Sequence, residues 1–299
     1  IISEPKKESH TSYKEEMYTN RQHKRYSDLG GQFRTTSIKA ESAIVWDITQ
    51  NKAIFEINSK TPKPLASITK VMTALIATET VPLNTTIAID ESSLMQDGSN
   101  GLVLGEEWNL KDLIDFSLIE SSNDGMAAVA SAIGALSKGS PDDRGAGRVS
   151  FIDAMNKKAE GLGLENTVFI NESGLDIYDE TEAGAFSSAE DVAKLFSYIL
   201  KNHPKVLEAT KKDSVNFNSI TGYSHIANNT NQSIGQIPAL IASKTGYTDV
   251  SGGNLAVIID PVINYPIAIV VLGSTFEDRF SDVVTLSKST LRYFQDYTN

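Results

Sequence analysis

The stretch PLASITKVMTAL, residues 64–75, has the pattern of a helix that is apolar on nearly every side. Ser67 and Lys70 lie within it, three residues apart, so their side chains share one face of the predicted helix. Lysine is among the residues least often buried without a partner. A cation one turn after a hydroxyl, in a segment that otherwise resembles core, therefore needs a specific reason.

Catalysis is one such reason. Burial disfavours the charged form of lysine and lowers its pKa, so a neutral Lys70 could take the proton of Ser67 without any histidine. The dipole at the start of a helix also favours the negative charge that develops there. The S-x-x-K pattern is nevertheless common by chance. By itself it fits a surface serine and a lysine whose ammonium group reaches water equally well.

A second candidate motif is ESSND, residues 120–124, which separates two predicted helices. This placement puts Ser121 and Asn123 at a helix–helix junction. A hydroxyl and a carboxamide at such a junction could relay a proton and orient an amide substrate. Helix capping is the ordinary alternative explanation for Ser and Asn at this position.

A third candidate motif is SKTGYTD, residues 243–249, at the end of a predicted strand. Lys244 and Thr245 on an edge strand could hold a carboxylate. Gly246 would let a ligand approach the backbone, which offers hydrogen bonds as a neighbouring strand would. A plain transition from strand to turn is the alternative.

The order of predicted elements is two strands, a block of helices, three strands and a final helix. This order predicts an α+β layered fold in which both strand groups join one antiparallel sheet of about five strands, flanked by helices. The predicted strands are 43–48, 53–58, 241–246, 254–260 and 267–273, and the predicted helices are 64–79, 109–120, 125–136, 151–163, 187–202 and 281–297. Residues 137–150, rich in Gly, Ser and Asp, are predicted to form a loop.

Composition narrows the classes of function. The net charge of −11 argues against a nucleic-acid or anionic-membrane binder, because both partners attract a basic face. The chain has no cysteine, which excludes disulfides, thiolate catalysis and zinc–thiolate sites. No apolar run is long enough to span a bilayer. Its four histidines lack metal-ligand spacing, and the pair Glu106-Glu107 is expected to be exposed to solvent rather than to act in catalysis. We therefore expect neither a metal nor a cofactor.

The chain is predicted to divide into two parts. Residues 1–36 are polar and mixed in charge, which is typical of a tail or stalk, and residues 37–299 would form one domain. The sequence begins with Ile-Ile rather than Met, so we expect that an upstream signal or N-terminal membrane anchor has been removed.

The three motifs, in this order, resemble those of the serine β-lactamases and penicillin-binding proteins. More narrowly, the chain resembles the D-alanyl-D-alanine carboxypeptidases, which are low-molecular-weight penicillin-binding proteins. The surrounding segments follow the same pattern over about residues 40–295, including SAIVWDITQNKAIFEIN (42–58), FIDAMNKKAEGLGLENTVFINESGLD (151–176), NNTN (228–231) and KTGYTDVSGGNLAV (244–257). The resemblance implies a β-lactamase/transpeptidase-like fold with an additional all-helical subdomain.

The resemblance also implies catalytic roles. Ser67 would be the acylated nucleophile and Lys70 its general base. Ser121 and Asn123 would belong to the proton relay and the contact with the substrate amide.

Substrate-binding roles follow in the same way. Lys244 and Thr245 would bind the terminal carboxylate, in a strand segment that Gly246 and Tyr247 complete. The backbone N–H groups of Ser67 and Tyr247 would form the oxyanion hole, a device worth about 10²–10³ in rate per donor.

The activity that the resemblance implies is that of a serine-type D-Ala-D-Ala carboxypeptidase. It would trim bacterial peptidoglycan stem peptides outside the cytoplasm, without a cofactor, and penicillins would acylate it. A D,D-endopeptidase that cuts cross-links, a β-lactamase or glutaminase on the same fold, and a silent wall-binding protein are the alternatives. The chain ends soon after its last helix, as in shorter endopeptidase-type members.

Two segments depart from the family pattern. GSPDDRGAG, residues 139–147, looks like an insertion that could reshape the entrance of the site. Residues 185–189 replace the usual histidine and tyrosine before the S-T-A sequence, which affects loop contacts rather than the core chemistry.

Overall fold

The computed structural model describes residues 33, 36–98, 101–140, 142–177 and 181–298. Most of the predicted tail, residues 1–36, therefore lies outside the described residues, and the tail stays a prediction. Phe33 is described, and its ring is buried and stacked on Phe55 with centroids 5.2 Å apart.

A five-stranded antiparallel sheet forms the centre of the fold, in the order β10-β11-β12-β1-β2. Its strands are β1 (Ser42–Asp47), β2 (Lys52–Ile57), β10 (Leu240–Thr248), β11 (Gly252–Ile259) and β12 (Ile267–Ser274). The sequence prediction of one sheet joining two strand groups is confirmed. The order places β10 at one edge, with one side free of a strand partner in the sheet.

Both faces of the central strands are apolar, which explains why these strands form continuous apolar runs rather than an alternating pattern. One face packs on the main block of helices and presents Ile44, Ala256, Ile258, Ala268, Val270 and Leu272. The opposite face packs on the C-terminal helix and presents Val45, Leu255, Val257, Ile267, Ile269 and Val271. The sheet is therefore the middle layer of a three-layer domain.

The described residues form six α-helices: α1 (Lys70–Thr80), α2 (Leu110–Ile119), α3 (Asn123–Ser137), α4 (Arg144–Gly161), α5 (Ala189–Asn202) and α6 (Asp278–Thr298). Helices α1 to α4 pack on one another, and α5 lies against β1 and β12. Helix α6 covers the other face, where Val283 and Leu286 are fully buried. The predicted helices are confirmed to within a few residues, with two exceptions: the predicted helix 64–79 begins only at Lys70, and α4 begins before its predicted start.

The second exception concerns the predicted loop 137–150, which was wrong over its last seven residues, because α4 already begins at Arg144. The Asp143 side chain caps this helix by accepting from the Ala146 backbone N–H. The glycine at 147 serves helix packing rather than a loop. A Cβ on Gly147 would lie 2.4 Å from the backbone nitrogen of Ala135, so only glycine lets α3 and α4 approach this closely.

Several short strands were not predicted from the sequence. They form a three-stranded sheet, in the order β3-β7-β6, and two hairpins, β4-β5 and β8-β9. Their bounds are β3 (Lys63–Pro64), β4 (Thr86–Ala88), β5 (Glu107–Asn109), β6 (Val168–Phe169), β7 (Ala185–Ser187), β8 (Ser214–Asn218) and β9 (Ser224–Asn228). Strands of two to five residues carry too little periodicity to be separated from loops.

The expectation that Glu106 is solvated was wrong. Its side chain is fully buried, and Oε1 lies 2.6 Å from Nε2 of His225, which comes from β9. Its Oε2 accepts from the Val103 backbone N–H. The imidazole also packs on Trp108, with ring centroids 5.1 Å apart. A contact across 119 positions of sequence fixes the β8-β9 hairpin beside α2.

No helix among the described residues is both long enough and apolar enough to cross a membrane. In the same part of the chain, no group of three or more His, Cys, Asp or Glu side chains is arranged to hold a metal ion.

Candidate active site

The Ser67–Lys70 pair lies at the start of the first helix. Residues Ala66–Thr69 form a 3₁₀ turn that leads directly into α1, where a single continuous helix was predicted. Ala66 has a positive φ of 49°, which lets the chain enter this turn sharply from β3. The geometry brings Nζ of Lys70 within 2.6 Å of Oγ of Ser67. The predicted meeting of hydroxyl and amine is thus present in the structure.

Lys70 is fully buried, and its Nζ also donates to the backbone carbonyl of Ser173 at 3.0 Å. Burial lowers the pKa of Lys70 to about 7, and the negative charge of Glu172 opposes that shift. A substantial fraction of Lys70 is therefore neutral near pH 7, as a general base requires.

Ser121 and Asn123 lie between α2 and α3. Ser121 adopts a positive φ of 66°, a conformation that costs free energy for a residue other than glycine and is often found at functional sites. Ser122, rather than its neighbours, is the helix cap, since its hydroxyl accepts from the Gly125 backbone N–H. Ser121 is thereby left to accept a hydrogen bond from Nζ of Lys244 at 2.9 Å.

A hydrogen bond from its side-chain amide holds Asn123 in place. Its Nδ2 donates to the backbone carbonyl of Asp97 at 2.6 Å. Its Oδ1 is buried and accepts no hydrogen bond from the described residues. A buried acceptor without a partner costs free energy, and an incoming N–H group of a ligand would satisfy it.

Lys244 is almost fully buried on the edge strand β10. Its Nζ donates to Ser121 and to the backbone carbonyl of Thr245, both at 2.9 Å. Burial, followed by the positive charges of Lys70 and Arg279, holds the pKa of Lys244 well below its usual range. The hydroxyl of Thr245 lies 2.5 Å from that of Thr230.

Gly246 brings the edge of the sheet against the 3₁₀ turn. A Cβ at this position would lie 2.7 Å from the Leu65 carbonyl oxygen and 3.3 Å from the Ser67 backbone nitrogen. Any larger residue would therefore push β10 away from the nucleophile. Tyr247, the next residue, keeps its side chain partly exposed, and its ring meets Phe276 edge to face.

The three motifs thus converge at one place. Gly246 lies against the backbone of Ser67, and Lys244 is close enough to Lys70 for its pKa to respond to that charge. Ser121 joins the two sides through its contact with Lys244. All eight predicted side chains or backbone positions belong to this region, where the free edge of β10 faces the start of α1 and α3.

The structure also reveals residues that the sequence prediction missed. Arg279 is buried at the start of α6, where its Nη1 donates to the Gly246 carbonyl at 3.2 Å, and its guanidinium lies 4.3 Å from the Phe276 ring centroid. Burial lowers its pKa to about 10. Arg148, which is partly exposed, forms an ion pair with the buried Glu172 behind Lys70. The NNTN segment pointed to Thr230, but no sequence pattern singled out Arg148 or Arg279.

Comparisons with known proteins agree with this geometry. A sequence profile described as D-alanyl-D-alanine carboxypeptidase matches residues 31–275. The D-alanyl-D-alanine endopeptidase of Escherichia coli is 30% identical over 241 residues, which cover 79% of this chain and 71% of the relative. The D-alanyl-D-alanine carboxypeptidase DacF of Bacillus subtilis is 32% identical over 217 residues, covering 70% of this chain. The match spans only 51% of the length of DacF.

Solved structures share the fold. The Streptomyces K15 DD-transpeptidase superposes with a TM-score of 0.75 at 22% identity, over 86% of this chain and 98% of that one. Penicillin-binding protein D2 of Listeria monocytogenes, crystallised with cefotaxime bound, superposes with a TM-score of 0.68 at 26% identity. This second match covers 85% of this chain and 98% of the Listeria protein. The predicted penicillin-binding fold is therefore confirmed.

Proposed function

The chain belongs to the D-alanyl-D-alanine carboxypeptidase family, and from this premise we propose that it is a serine-type D-Ala-D-Ala carboxypeptidase acting on peptidoglycan stem peptides. One observation carries the proposal: a fully buried lysine with a pKa of about 7 donates to a serine hydroxyl 2.6 Å away. This pairing is the arrangement that a serine nucleophile needs in the absence of histidine.

In the proposed acylation step, neutral Lys70 takes the hydroxyl proton of Ser67 while Oγ attacks the carbonyl carbon of the penultimate D-Ala. The backbone N–H groups of Ser67 and Tyr247 would stabilise the oxyanion that forms. As the carbon–nitrogen bond breaks, Ser121, hydrogen-bonded to Lys244, would relay to the leaving amine of the terminal D-Ala the proton that Lys70 accepted from Ser67, so that Lys70 is neutral again. Water then attacks the acyl-serine, and the trimmed peptide leaves with a free carboxylate.

Substrate recognition would use the edge of the sheet. The peptide would lie beside β10, and its terminal carboxylate would meet the side chains of Lys244 and Thr245, with Arg279 adding positive charge behind them. The buried Oδ1 of Asn123, which has no partner among the described residues, would accept an N–H group of the substrate backbone. Each of these polar groups then gains a partner on binding.

Penicillins and related β-lactams are proposed as covalent inhibitors of the same site. A β-lactam carries a strained amide beside a carboxylate, as the D-Ala-D-Ala terminus carries an amide beside its carboxylate. The relative from Listeria has cefotaxime bound, which supports this proposal. An acylated Ser67 would be released slowly, since the opened ring stays attached and obstructs water.

A D,D-endopeptidase is the second candidate. The relative from Escherichia coli that carries this name is 30% identical to the chain over 79% of its length. The two activities share one chemistry and differ in the amine that leaves: free D-Ala, or the side chain of a second stem peptide. We also propose an extracytoplasmic location in a bacterium, because stem peptides lie there.

Product analysis tests the proposal directly. The chain is incubated with a stem pentapeptide and, separately, with a cross-linked dimer, and the products are followed by chromatography. We expect D-Ala release from the pentapeptide, its loss in Ser67→Ala, and unchanged activity in Ser281→Ala, an exposed serine on α6. Cleavage of the dimer alone would favour the endopeptidase. Turnover of neither substrate would contradict both candidates, and sustained nitrocefin hydrolysis would favour a β-lactamase.

A further inference from the structure

We propose that Arg148 and Glu172 act as a positioning pair, which holds the general base in place and couples it to the loop that orients Asn123. This inference rests on the proposed function of Ser67 and Lys70. Neither Arg148 nor Glu172 touches the nucleophile, so their effect would pass through Lys70 and the substrate-binding side chain.

The ion pair itself has the geometry of a specific contact. Glu172 is fully buried, and Arg148 is partly exposed on α4. Nε of Arg148 donates to Oε2 at 2.8 Å, and Nη2 lies 2.8 Å from Oε1. One hydrogen bond and one close charge contact therefore hold the pair, Oε1 accepts no hydrogen bond from the described residues, and loss of the arginine would leave a buried carboxylate without its cation.

On one side the pair reaches Lys70 through the backbone. The carbonyl of Glu172 accepts from Oγ1 of Thr73 at 2.6 Å, one turn along α1 from the lysine. The next carbonyl, of Ser173, accepts from Nζ of Lys70 at 3.0 Å. Gly174 then packs so closely that a Cβ would lie 1.9 Å from the Ala66 carbonyl. Segment 171–174 is thereby a rigid support for the base.

On the other side the pair reaches Asn123. Nη2 of Arg148 donates to Oε1 of Gln96 at 3.2 Å. The carbonyl of the next residue, Asp97, accepts from Nδ2 of Asn123 at 2.6 Å. One guanidinium therefore ties the support of the base to the loop that holds the substrate-binding amide.

The charges around Lys70 come from four elements. Glu172 supplies the negative charge next to it, and Arg148, on α4, partly neutralises that charge. Lys244 approaches from β10, with Arg279 on α6 behind it. Of these groups, Glu172 opposes the effect of burial and keeps the pKa of Lys70 from falling further. Changes at either end of the ion pair should alter this balance in opposite directions.

The expected shifts are as follows. Glu172→Gln removes the negative charge, so the pKa of Lys70 falls. The acid limb, which is the rising part of the plot of acylation rate against pH, then moves to lower pH by about one unit. Arg148→Met leaves the charge of Glu172 less neutralised, so the limb moves to higher pH by about half a unit. A purely structural role would reduce the rate in both variants without opposite displacements.

The experiment measures the second-order rate of acylation of the full chain by a fluorescent penicillin between pH 5 and pH 9. Arg144→Met is the matched control. Arg144 lies one turn earlier on α4 and pairs with Asp90 at 3.5 Å, so its removal should leave the limb in place. Opposite shifts of Glu172→Gln and Arg148→Met support the inference. An unshifted Glu172→Gln limb, or displacement of both variants in the same direction, overturns it.

The labelling of the wild type distinguishes failure of the proposed function from failure of this inference alone. If wild type is not labelled, or Ser67→Ala is labelled equally, the proposed function fails and this inference fails with it. If wild type is labelled at Ser67 but the limb does not respond to Glu172, only this inference fails. If Arg148→Met does not fold, Arg148→Lys, which keeps the positive charge, replaces it. The shift of the acid limb in Glu172→Gln then decides whether the inference holds.

Discussion

Two buried lysines face each other across the site, and their surroundings differ although their immediate contacts match. Lys70 donates to Ser67 and to the carbonyl of Ser173, and Lys244 donates to Ser121 and to the carbonyl of Thr245. Each ammonium group thus has one serine hydroxyl and one backbone carbonyl. Burial lowers the pKa of both.

The charges beyond these contacts distinguish the two sites. Lys70 lies near the carboxylate of Glu172, which keeps its pKa at about 7. Lys244 lies among cations, since Lys70 and Arg279 both push its pKa down. The first environment is balanced and suits a base that gains and loses a proton near neutrality. The second has an excess of positive charge, which a substrate carboxylate would neutralise. Equal burial therefore serves two different tasks.

The largest expected effect comes from replacing each lysine by arginine, which keeps the charge but cannot lose its proton. In Lys70→Arg we expect acylation by penicillin to fall by about 10³, because the base is gone. In Lys244→Arg, which retains a cation for the carboxylate, we expect a loss of about tenfold.

Stopped-flow or gel-based labelling measures both rates. Circular dichroism checks that both variants fold, and Lys70→Met separates loss of the base from crowding by the larger guanidinium. Equal losses in the two arginine variants would contradict the claim that Lys70 acts as a base and Lys244 as a carboxylate-binding cation.

The next effect is the pH dependence of the wild type. Because the pKa of Lys70 is lowered to about 7, the lysine is protonated and inactive as a base below that pH. The neutral fraction rises about tenfold between pH 6 and pH 8, and the acylation rate should rise with it. Lys244→Arg should retain this acid limb. A rate that stays flat over this range would show that deprotonation of Lys70 does not control acylation.

The Arg279→Gln variant tests whether the positive charge around Lys244 serves to bind the substrate carboxylate. The substitution removes a buried cation and its hydrogen bond to the Gly246 carbonyl. We expect KM for a stem pentapeptide to rise about fivefold, while kcat changes less, because the carboxylate loses attraction rather than chemistry. Steady-state kinetics of D-Ala release give both constants. A fall in kcat at constant KM would instead show that Arg279 contributes to the chemical step rather than to substrate binding.

The smallest effect is expected at Thr230, whose hydroxyl lies 2.5 Å from that of Thr245. Thr230→Val keeps the shape and removes one hydrogen bond, so we expect KM to rise about threefold. Thr80→Val, at the far end of α1, loses a hydrogen bond to the Ile76 carbonyl and serves as a control for hydroxyl removal outside the site. Equal changes in KM for both variants would assign the effect to stability alone.

Local patterns predicted much of this molecule. The i, i+3 spacing of Ser67 and Lys70 predicted their contact, and the apolar run 267–273 predicted the strand β12, which the structure buries on both faces. The failures came where tertiary contacts decide. Gly and Asp near Arg144 are typical of a loop, yet Asp143 caps α4 and Gly147 lets α3 approach.

The remaining site residues could not be predicted, because their partners are distant in sequence. Arg148 meets Glu172 across 24 positions, and Arg279 meets the carbonyl of Gly246 across 33. A single arginine on a helix has no periodicity or spacing that marks it as functional. Only the folded chain brings these charges behind the two lysines.

The most direct test of the central claim is peptide mass mapping after treatment of the full chain with benzylpenicillin. The account predicts one penicilloyl adduct per chain, on the proteolytic peptide that contains Ser67, and no adduct in Ser67→Ala. Absence of an adduct on wild type, or an adduct on another residue such as Ser121, would contradict it.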